Sequence, residues 1–263
     1  MLDFVLLIPC YNNLEGLYKS IESIEYINQR FIIIVIDDGS HIPITIDGLK
    51  MKFNNKPILV INNHMNVGIT TSLNNGLKYI SQNIQTKYIA RLDCGDLCSK
   101  DRFMKQVDYL NAHNDIYLLG SWCKFIDHKK QSSYIYKTKT NHKDILKEMN
   151  FKCSFIHPTV MFRAIVISSI GMYPTNYSLT EDYAYFWEIL NKHKCSILPE
   201  ILTTIEINTN SLSSKNYKKQ LLQRIKIINK FSNYFLLKWV GILTLSFRYI
   251  LPTKLVLMIK YLK

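Results

Sequence analysis

Apolar runs alternate with helix-like segments through the first part of the chain. The helix-like segments carry their apolar residues on one face, as at Leu14, Leu17 and Ile21. Alternation of this kind predicts βαβ units and a mostly parallel sheet with helices on its faces. The predicted strands of this part cover residues 4–8, 31–36 and 57–61, and a fourth ends at Asp93.

The pattern continues less regularly after the fourth strand. A helix is predicted over residues 102–113, a strand near 116–119 and further strand character over 155–163. Another helix is predicted to begin at Glu181. The residues from 124 to 152 are polar and basic, and we expect a mobile loop over the strand ends there.

Charge is distributed unevenly along the chain. The formal net charge is +13 at pH 7, yet the residues from Lys215 to Lys263 contain 11 Lys and Arg and no Asp or Glu. The remainder carries 22 basic against 20 acidic residues and is nearly neutral. With 263 residues, 48% of them hydrophobic, the chain fits one sizeable globular domain followed by a cationic extension.

Cysteine usage and the start of the chain bear on the compartment. The six cysteines form no C-x-x-C pair and no secretory framework, so we expect reduced thiols in the cytoplasm. Cys94 and Cys98 have no second pair at zinc-ligand spacing and are interpreted as small buried residues. We expect neither a signal peptide, since no basic region precedes the first apolar run, nor a membrane span.

Carboxylates follow two of the predicted strands. Asp37 and Asp38 end the second strand, and Asp93 and Asp96 stand at the end of the fourth. In an open α/β sheet, ligands bind beyond the carboxyl ends of the strands, so acids there are well placed to hold a metal ion or a polar ligand. Each motif also has a structural explanation, because Asp-Asp-Gly-Ser is a common turn and Asp a common helix cap.

The order and spacing of these motifs over residues 1–210 resemble the family 2 glycosyltransferases, which transfer a sugar from a nucleotide diphosphate donor with inversion. The resemblance implies the α/β GT-A fold, in which a Rossmann-like, nucleotide-binding mixed sheet is flanked by helices. It places nucleotide-sugar binding in residues 1–100 and acceptor binding in residues 101–210. Residues 211–263 then form a basic helical extension.

The resemblance implies that the strand ends bind the nucleotide sugar. Asp38 would accept a hydrogen bond from the base, which favours uracil over cytosine because cytosine has no ring N–H to donate there. Guanosine and thymidine donors stay open, and a helix-capping turn explains Asn66 and Gly68 nearly as well. The implied nucleotide-sugar-binding residues are Pro9, Tyr11, Asn13, Asp38, Asn66, Gly68, Arg91 and Asp93.

The resemblance also implies a divalent cation, Mn²⁺ or Mg²⁺, on the donor diphosphate. Asp96 matches the metal-binding acid of the family, and Asp93 heads its D-x-D-type motif close to the ribose and the metal. Gly95 departs from the pattern, since many relatives carry another carboxylate there, and Asp96 is left as the main ligand. Arg91 is expected either to approach the diphosphate or to form a structural salt bridge with Asp93.

The pair Glu181-Asp182 resembles the acidic pair that supplies the catalytic base of the family. Asp182 is the candidate to deprotonate the acceptor hydroxyl, and we expect the like charge of Glu181 to raise its pKa. The alternative is that both acids only complement a helix N-terminus. His157 matches a position near the acceptor in relatives, although a turn formed by Pro158 beside an incidental histidine explains it equally well.

The resemblance predicts an inverting hexosyltransferase that adds one sugar per encounter. Processive relatives carry Q-x-x-R-W and several membrane helices, whereas the segment from Gln220 to Arg224 is followed by Ile225 instead of Trp. We expect a glycan or lipid-linked acceptor and a role in lipopolysaccharide, capsule or other surface-glycan biosynthesis.

The basic extension is predicted to be helical and amphipathic. Leu221, Leu222 and Ile228 recur at helical spacing beside Arg224 and Lys226. Such a helix can lie in the interface of an anionic membrane, which predicts peripheral attachment to the inner face of the cytoplasmic membrane. Packing on the catalytic domain or on a partner enzyme is the alternative.

Two other functions compete with glycosyl transfer. A basic, aromatic tail is compatible with nucleic-acid binding, but the sequence has no zinc finger and no RRM-type aromatic signature, so we expect no nucleic-acid partner. A sugar nucleotidyltransferase shares the α/β frame, but it usually has a glycine-rich loop after the first strand, and residues 9–13 contain no glycine.

Overall fold

The structure is a computed structural model that describes residues 1–207 and 216–251. Within these residues, nine strands form one sheet. The strands are β1 (Leu2–Cys10), β2 (Phe31–Asp37), β3 (Ile58–Asn62), β4 (Thr86–Arg91), β5 (Leu97–Cys98), β6 (Ile116–Asp127), β7 (Ser132–Tyr136), β8 (Met161–Arg163) and β9 (Lys194–Glu206).

Helices pack on both faces of the sheet. They are α1 (Leu14–Glu22), α2 (Ile46–Lys52), α3 (Ile69–Asn83), α4 (Arg102–Ala112), α5 (His142–Glu148), α6 (Val166–Ser169), α7 (Glu181–Lys192), α8 (Tyr217–Phe231) and α9 (Phe235–Ile250). A short 3₁₀ helix covers His157–Thr159.

The sheet has a parallel half and a mixed half. Its order is β3-β2-β1-β4-β8-β6-β9-β5, with β7 paired to the outer part of β6. β1 pairs in parallel with both β2 and β4, and β2 pairs in parallel with β3. β8 runs antiparallel to both β4 and β6 and so joins the two halves. The predicted α/β mixed sheet is therefore confirmed, and the parallel strands β1 to β4 all end at the same edge.

The sheet is buried on both faces, which explains the unbroken apolar runs of the sequence. Along β1, Val5 and Leu7 contribute to one core with α3 and α7, whereas Phe4, Leu6 and Ile8 contribute to the core on the opposite face with α1 and α4. All five side chains are fully buried. Strands enclosed on both faces lose the alternation of apolar and polar residues that an exposed face imposes.

The prediction of a mobile loop over residues 124–152 is wrong. β6 continues to Asp127 and forms a hairpin with β7, and α5 follows. The Asp127 carboxylate accepts a hydrogen bond from the backbone N–H of Lys130 at 3.1 Å, and the rings of Phe125 and Tyr134 stack at 5.1 Å across the hairpin. Cross-strand aromatic pairs stabilise such hairpins even where the intervening residues are polar.

The C-terminal helices pack on the rest of the protein. Leu221, Ile227 and Ile228 of α8 are buried in the same core as α7. Of the two arrangements considered for the basic extension, α8 therefore adopts the one in which it packs on the catalytic domain. α9 lies on α8, and Gly241 approaches so closely that a Cβ there would lie 2.1 Å from the carbonyl oxygen of Asn150. The predicted boundary at residue 210 lies outside the described residues.

Among the described helices, none is both long enough and apolar enough to cross a membrane.

Candidate active site at the strand ends

A tight turn after β4 carries two of the candidate carboxylates. The backbone N–H of Asp96 donates to the carbonyl of Asp93 at 3.0 Å, and Gly95 within the turn has a φ of +104°. Ser20 of α1 holds the turn, because its hydroxyl donates to the carbonyl of Asp96 at 2.8 Å and accepts from the N–H of Gly95 at 2.9 Å. A φ in this range favours glycine, so the turn as it stands suits Gly95 better than a carboxylate.

Arg91 fixes the position of Asp93. Its guanidinium is fully buried and donates to Asp93 Oδ1 at 2.6 Å and to the carbonyl of Leu7 at 2.7 Å. The Asp93 side chain is 38% exposed, so it faces outward into the space beyond the carboxyl ends of the parallel strands, here called the crevice, while the buried Arg91 lies behind it. Of the two roles considered for Arg91, the structure contains the salt bridge; contact with a diphosphate stays a prediction.

His157 lies behind the same carboxylate. Its Nε2 accepts from Arg91 Nε at 3.3 Å and lies 2.8 Å from the hydroxyl of Tyr173. Because Arg91 can only donate, the neutral ring carries its proton on Nδ1. Burial, followed by the charge of Arg91, holds the pKa of His157 well below its usual value. The histidine is thus neutral and positions its neighbours; the expected approach to an acceptor stays a prediction.

Asp38 organises the crevice on the other side of β1. Its Oδ1 accepts from the N–H of Val67 at 2.9 Å and the hydroxyl of Ser72 at 2.7 Å, and its Oδ2 accepts from the N–H of Gly68 at 3.0 Å. Asn63 Nδ2 adds a fourth donor to the carboxylate, at 3.1 Å from Oδ1. Three of the four donors share Oδ1, whereas Oδ2 accepts only from Gly68 and so retains a lone pair for a ligand such as a base.

The loops after β1 and β2 form the rim of the crevice. Asn12 joins them, since its N–H donates to Ser40 Oγ and its Oδ1 accepts from the N–H of His41, both at 2.9 Å. Tyr11 is 45% exposed beside His41. Asn13 caps α1 by accepting from the N–H of Gly16 at 3.1 Å.

The remaining candidates on this side lie close by. Pro9 pairs with Ile36 in the last part of β1, and Asn66 belongs to the loop against which Gly39 packs. Gly39 has a φ of +72°, and a Cβ there would lie 2.6 Å from the backbone nitrogen of Asn66. The structure therefore brings the predicted donor-side residues to one edge of the sheet.

Three acids of the crevice have raised pKa values. Burial raises the pKa of Asp96 to about 8, and the charge of Asp93 adds to the effect. Burial and then the charge of Asp182 raise the pKa of Glu181 to about 7. The pKa of Asp182 is raised to about 6, mainly by burial and further by Asp93. The pKa of Asp182 is raised, as expected from the sequence, but burial is the principal cause, ahead of any neighbouring charge.

Electrostatic effects link the acids after β4 with those at the start of α7. Asp93 at the end of β4 raises the pKa of Asp96, Glu181 and Asp182. Glu181 and Asp182 occupy the first turn of α7, as predicted, and Glu181 is only 6% exposed, with no hydrogen-bond partner for Oε2 among the described residues. The turn after β4 and the start of α7 therefore lie within electrostatic reach of each other.

The donor set of this region fits a hard divalent cation. No group of three His, Cys, Asp or Glu side chains at metal-ligand spacing occurs in the described part of the chain. Mg²⁺ and Mn²⁺ need only one or two protein carboxylates when the substrate supplies phosphate oxygens, and Asp93 and Asp96 meet that requirement. With a pKa of about 8, Asp96 is mostly protonated at pH 7 and would have to release that proton in order to bind a cation.

Sequence reasoning missed four residues that shape the site. Asn74 of α3 holds Tyr173 by a reciprocal pair of hydrogen bonds at 2.9 Å, from Asn74 Nδ2 to the Tyr173 carbonyl and from the Tyr173 N–H to Asn74 Oδ1. Ser20 holds the turn after β4, and Arg224 of α8 contacts the start of α7. The only signal in the sequence was the spacing of Gln220 and Arg224, one helical turn apart.

Solved structures share this architecture. S. aureus TarS residues 1–349 align with a TM-score of 0.67 at 15% identity, over 95% of this chain and 73% of that chain. The mannosyltransferase PcManGT from Pyrobaculum calidifontis, solved with GDP-Man and Mn²⁺, aligns with a TM-score of 0.61 at 12% identity, over 86% of this chain and 63% of that one. At these identities the likeness establishes the fold, which is GT-A.

Two curated bacterial relatives match over most of their length. The amylovoran biosynthesis glycosyltransferase AmsE of Erwinia amylovora is 27% identical over 240 residues, which is 86% of each protein. A UDP-Gal:alpha-D-GlcNAc-diphosphoundecaprenol beta-1,3-galactosyltransferase of Escherichia coli is 26% identical over 84% of this chain and 80% of its own. The family model described as glycosyl transferase family 2 matches residues 5–170. The chain, which carries the carboxylates of the crevice on that fold, therefore belongs to glycosyl transferase family 2.

Proposed function

We propose that this glycosyltransferase moves one sugar from a UDP-sugar to an acceptor hydroxyl with inversion at the anomeric carbon, and that Asp182 is the base. The observation that carries the proposal is the position of Asp182. It lies at the first turn of α7, within electrostatic reach of Asp93, with a pKa of about 6. A carboxylate with that pKa is ionised at neutral pH and accepts a proton more readily than an ordinary aspartate.

The chemistry follows from this arrangement in one displacement. Asp182 takes the proton of the acceptor hydroxyl while the oxygen forms a bond to the anomeric carbon. The bond from that carbon to the diphosphate breaks, and its electron pair leaves with UDP. Because attack and departure occur on opposite faces of the sugar, the configuration inverts.

Asp93 and Asp96 are the residues that would hold Mn²⁺ or Mg²⁺. When bound, such a cation supplies positive charge that stabilises the negative charge developing on the leaving diphosphate. Arg91 keeps the Asp93 carboxylate turned toward the crevice, and Ser20 keeps the turn closed. PcManGT, which shares the fold, was solved with Mn²⁺.

The donor and acceptor classes rest on the relatives. TarS was solved in complex with UDP and with UDP-GlcNAc, and the E. coli relative is named for a UDP-Gal donor and a diphosphoundecaprenol-linked acceptor. The Erwinia relative is named for amylovoran biosynthesis. These names support a UDP-sugar donor and a glycan or lipid-linked acceptor, within the biosynthesis of a bacterial surface polysaccharide such as lipopolysaccharide or capsule.

The outer face of α9 supports a peripheral position on an anionic membrane. Gly241 and Leu245 are buried against the protein, so the opposite face of the helix points outward. The extension that contains α9 carries no Asp or Glu from Lys215 onward, which suits anionic lipid headgroups. The large apolar side chains exposed on α9 are Phe235, Leu236, Trp239, Val240, Leu243, Phe247, Tyr249 and Ile250.

Vesicle flotation tests the membrane proposal. The purified chain is expected to float with vesicles containing phosphatidylglycerol and to stay in solution with phosphatidylcholine alone. Replacing Trp239 and Phe247 together with glutamate should abolish flotation, because it removes apolar area and adds charge that anionic lipid repels. The matched control replaces the exposed Ile27 and Met51, far from α9 in the chain, in the same way. Equal flotation of both double variants would contradict the assignment of this face.

Nucleotide binding and transfer test the catalytic proposal. UDP is expected to raise the melting temperature more than GDP, CDP or dTDP, and more strongly with Mn²⁺ than without, because ligand and cation share one site. A panel of UDP-sugars with a lipid-diphosphate-linked acceptor should then give product of inverted anomeric configuration by NMR. Release of pyrophosphate from UTP and a sugar phosphate would instead identify a nucleotidyltransferase, and absence of stabilisation by any nucleotide would refute the proposal.

A further inference from the structure

Arg224 of α8 reaches the helix that carries the proposed base. Its guanidinium lies 5.1 Å from the centre of the Tyr183 ring, and its Nη2 donates to the carbonyl of Phe151 at 3.2 Å. Tyr183 directly follows Asp182, and its N–H donates to Asp182 Oδ1 at 2.7 Å. A residue from the C-terminal part of the chain therefore contacts the same turn of α7 that presents Asp182.

A second contact from α8 supports the same turn. Gln220 lies one helical turn before Arg224, and its Nε2 donates to the carbonyl of Leu179 at 3.4 Å. Leu179 has a φ of +70°, a left-handed conformation that an ordinary side chain adopts only where surrounding contacts hold it. Gln220 and Arg224 thus hold the chain on both sides of Glu181 and Asp182.

Arg224 still has an unused donor at this position. Its Nε is buried and has no hydrogen-bond partner among the described residues. Leaving a buried charged donor without a partner costs free energy, so such a group is usually found close to an anion or a ligand. Asp182 is a carboxylate with which Arg224 interacts electrostatically.

The charges around Asp182 come from several elements. Asp93 at the end of β4 disfavours its ionised form, and Glu181 adds a second acid on the same turn. The half-buried Cys153 thiol and the buried Tyr173 hydroxyl, both neutral, also lie within electrostatic reach of Asp182. Arg224 opposes the two acids, because its positive charge favours the carboxylate form.

We propose that Arg224 is a positioning residue for the catalytic base, because from its place on α8 it holds the turn of α7 that presents Asp182. The inference rests on the proposed role of Asp182. It assigns a function in the reaction to a helix beyond the region that the family model matches, since that match ends at residue 170.

The test compares Arg224→Met and Arg224→Lys with Lys226→Met, an exposed cation on the same helix. Arg224→Met is expected to lower kcat about 10- to 100-fold, as for a base displaced from its working geometry, and to leave KM for the UDP-sugar unchanged. The acid limb of its pH–rate profile should move to higher pH, because loss of the positive charge favours protonated Asp182. Arg224→Lys should restore part of kcat and return the limb toward the wild-type position, and Lys226→Met should match the wild type.

Two results would overturn the inference. One is an Arg224→Met variant with the kcat and pH profile of the wild type. The other is a loss of kcat in which Arg224→Lys rescues nothing and UDP no longer raises the melting temperature of either variant, which would mean that Arg224 only stabilises the fold. A wild-type protein that transfers no sugar from any donor refutes the proposed function instead, so the two failures are distinguishable.

Discussion

Replacing Gly95 with Asp would restore the carboxylate that many relatives carry, and we expect it to harm this protein. Gly95 has a φ of +104°, in the region that side chains rarely adopt. A Cβ there would meet Asn13 Nδ2 at 3.7 Å, which is an ordinary contact, so the cost is conformational and not steric. Backbone strain of this kind costs roughly 1–3 kcal/mol in the free energy of unfolding.

Thermal and urea unfolding measure that cost. For a chain of this size, about 1–3 kcal/mol corresponds to a fall of roughly 2–10 °C in Tm. Gly95→Ala should fall as far as Gly95→Asp, because both share the strain and differ only in the carboxylate. Gly171→Ala is the matched control for backbone strain outside the turn after β4. Gly171 has a φ of +106°, and a Cβ added there would meet no atom within 4 Å.

Metal dependence separates strain from chemistry. If the turn conformation decides the outcome, Mn²⁺ should stabilise Gly95→Asp no more than it stabilises the wild type. Two results would refute this expectation: Gly95→Asp unfolds at the wild-type temperature, or Mn²⁺ raises its melting temperature well beyond that of Gly95→Ala. Either result would mean that the turn relaxes at little cost and accepts a third ligand.

Two further predictions concern the base and the turn. Asp182→Asn should lower kcat by about 10²- to 10⁴-fold while UDP still raises the melting temperature, and the wild-type rate should fall as the pH drops below about 6, where Asp182 is protonated. Wild-type kcat in Asp182→Asn would exclude this residue as the base. Ser20→Ala should lower the free energy of unfolding by about 1–3 kcal/mol in urea, since it leaves the Gly95 N–H and the Asp96 carbonyl without their partner. Ser81→Ala, at an exposed hydroxyl, should change it by less than about 0.5 kcal/mol, and equal losses would contradict the role of Ser20.

The sequence was informative where strands are buried on both faces. The runs that became β1, β2 and β3 are continuous and apolar, and the residues that end them lie together because parallel strands share one edge. The start of α7 at Glu181 was predicted correctly, since two acids precede a run of buried side chains. The motifs that resemble the family after β1, β2 and β4 therefore all lie along this one edge of the sheet.

The sequence was uninformative where structure depends on distant partners. The hairpin of β6 and β7 has polar and basic residues, and its stability comes from aromatic pairs across strands that a linear pattern does not reveal. Asn74 and Tyr173 are 99 residues apart, and no local signal links them. The pKa of Asp182 depends mainly on burial, which a sequence does not measure, so the effect of its neighbour Glu181 was overestimated.

The packing of α8 makes residues 1–207 alone a poor substitute for the whole chain. Leu221, Ile227 and Ile228 are at most 2% exposed, and burying each such side chain contributes about 1.5–3 kcal/mol. Truncation before α8 would forfeit a sum comparable with the roughly 5–15 kcal/mol by which a whole domain is stable. A fragment cut where the family match ends would therefore be far less stable than the whole chain. A more soluble variant is better sought by changing the outer face of α9 than by shortening the chain.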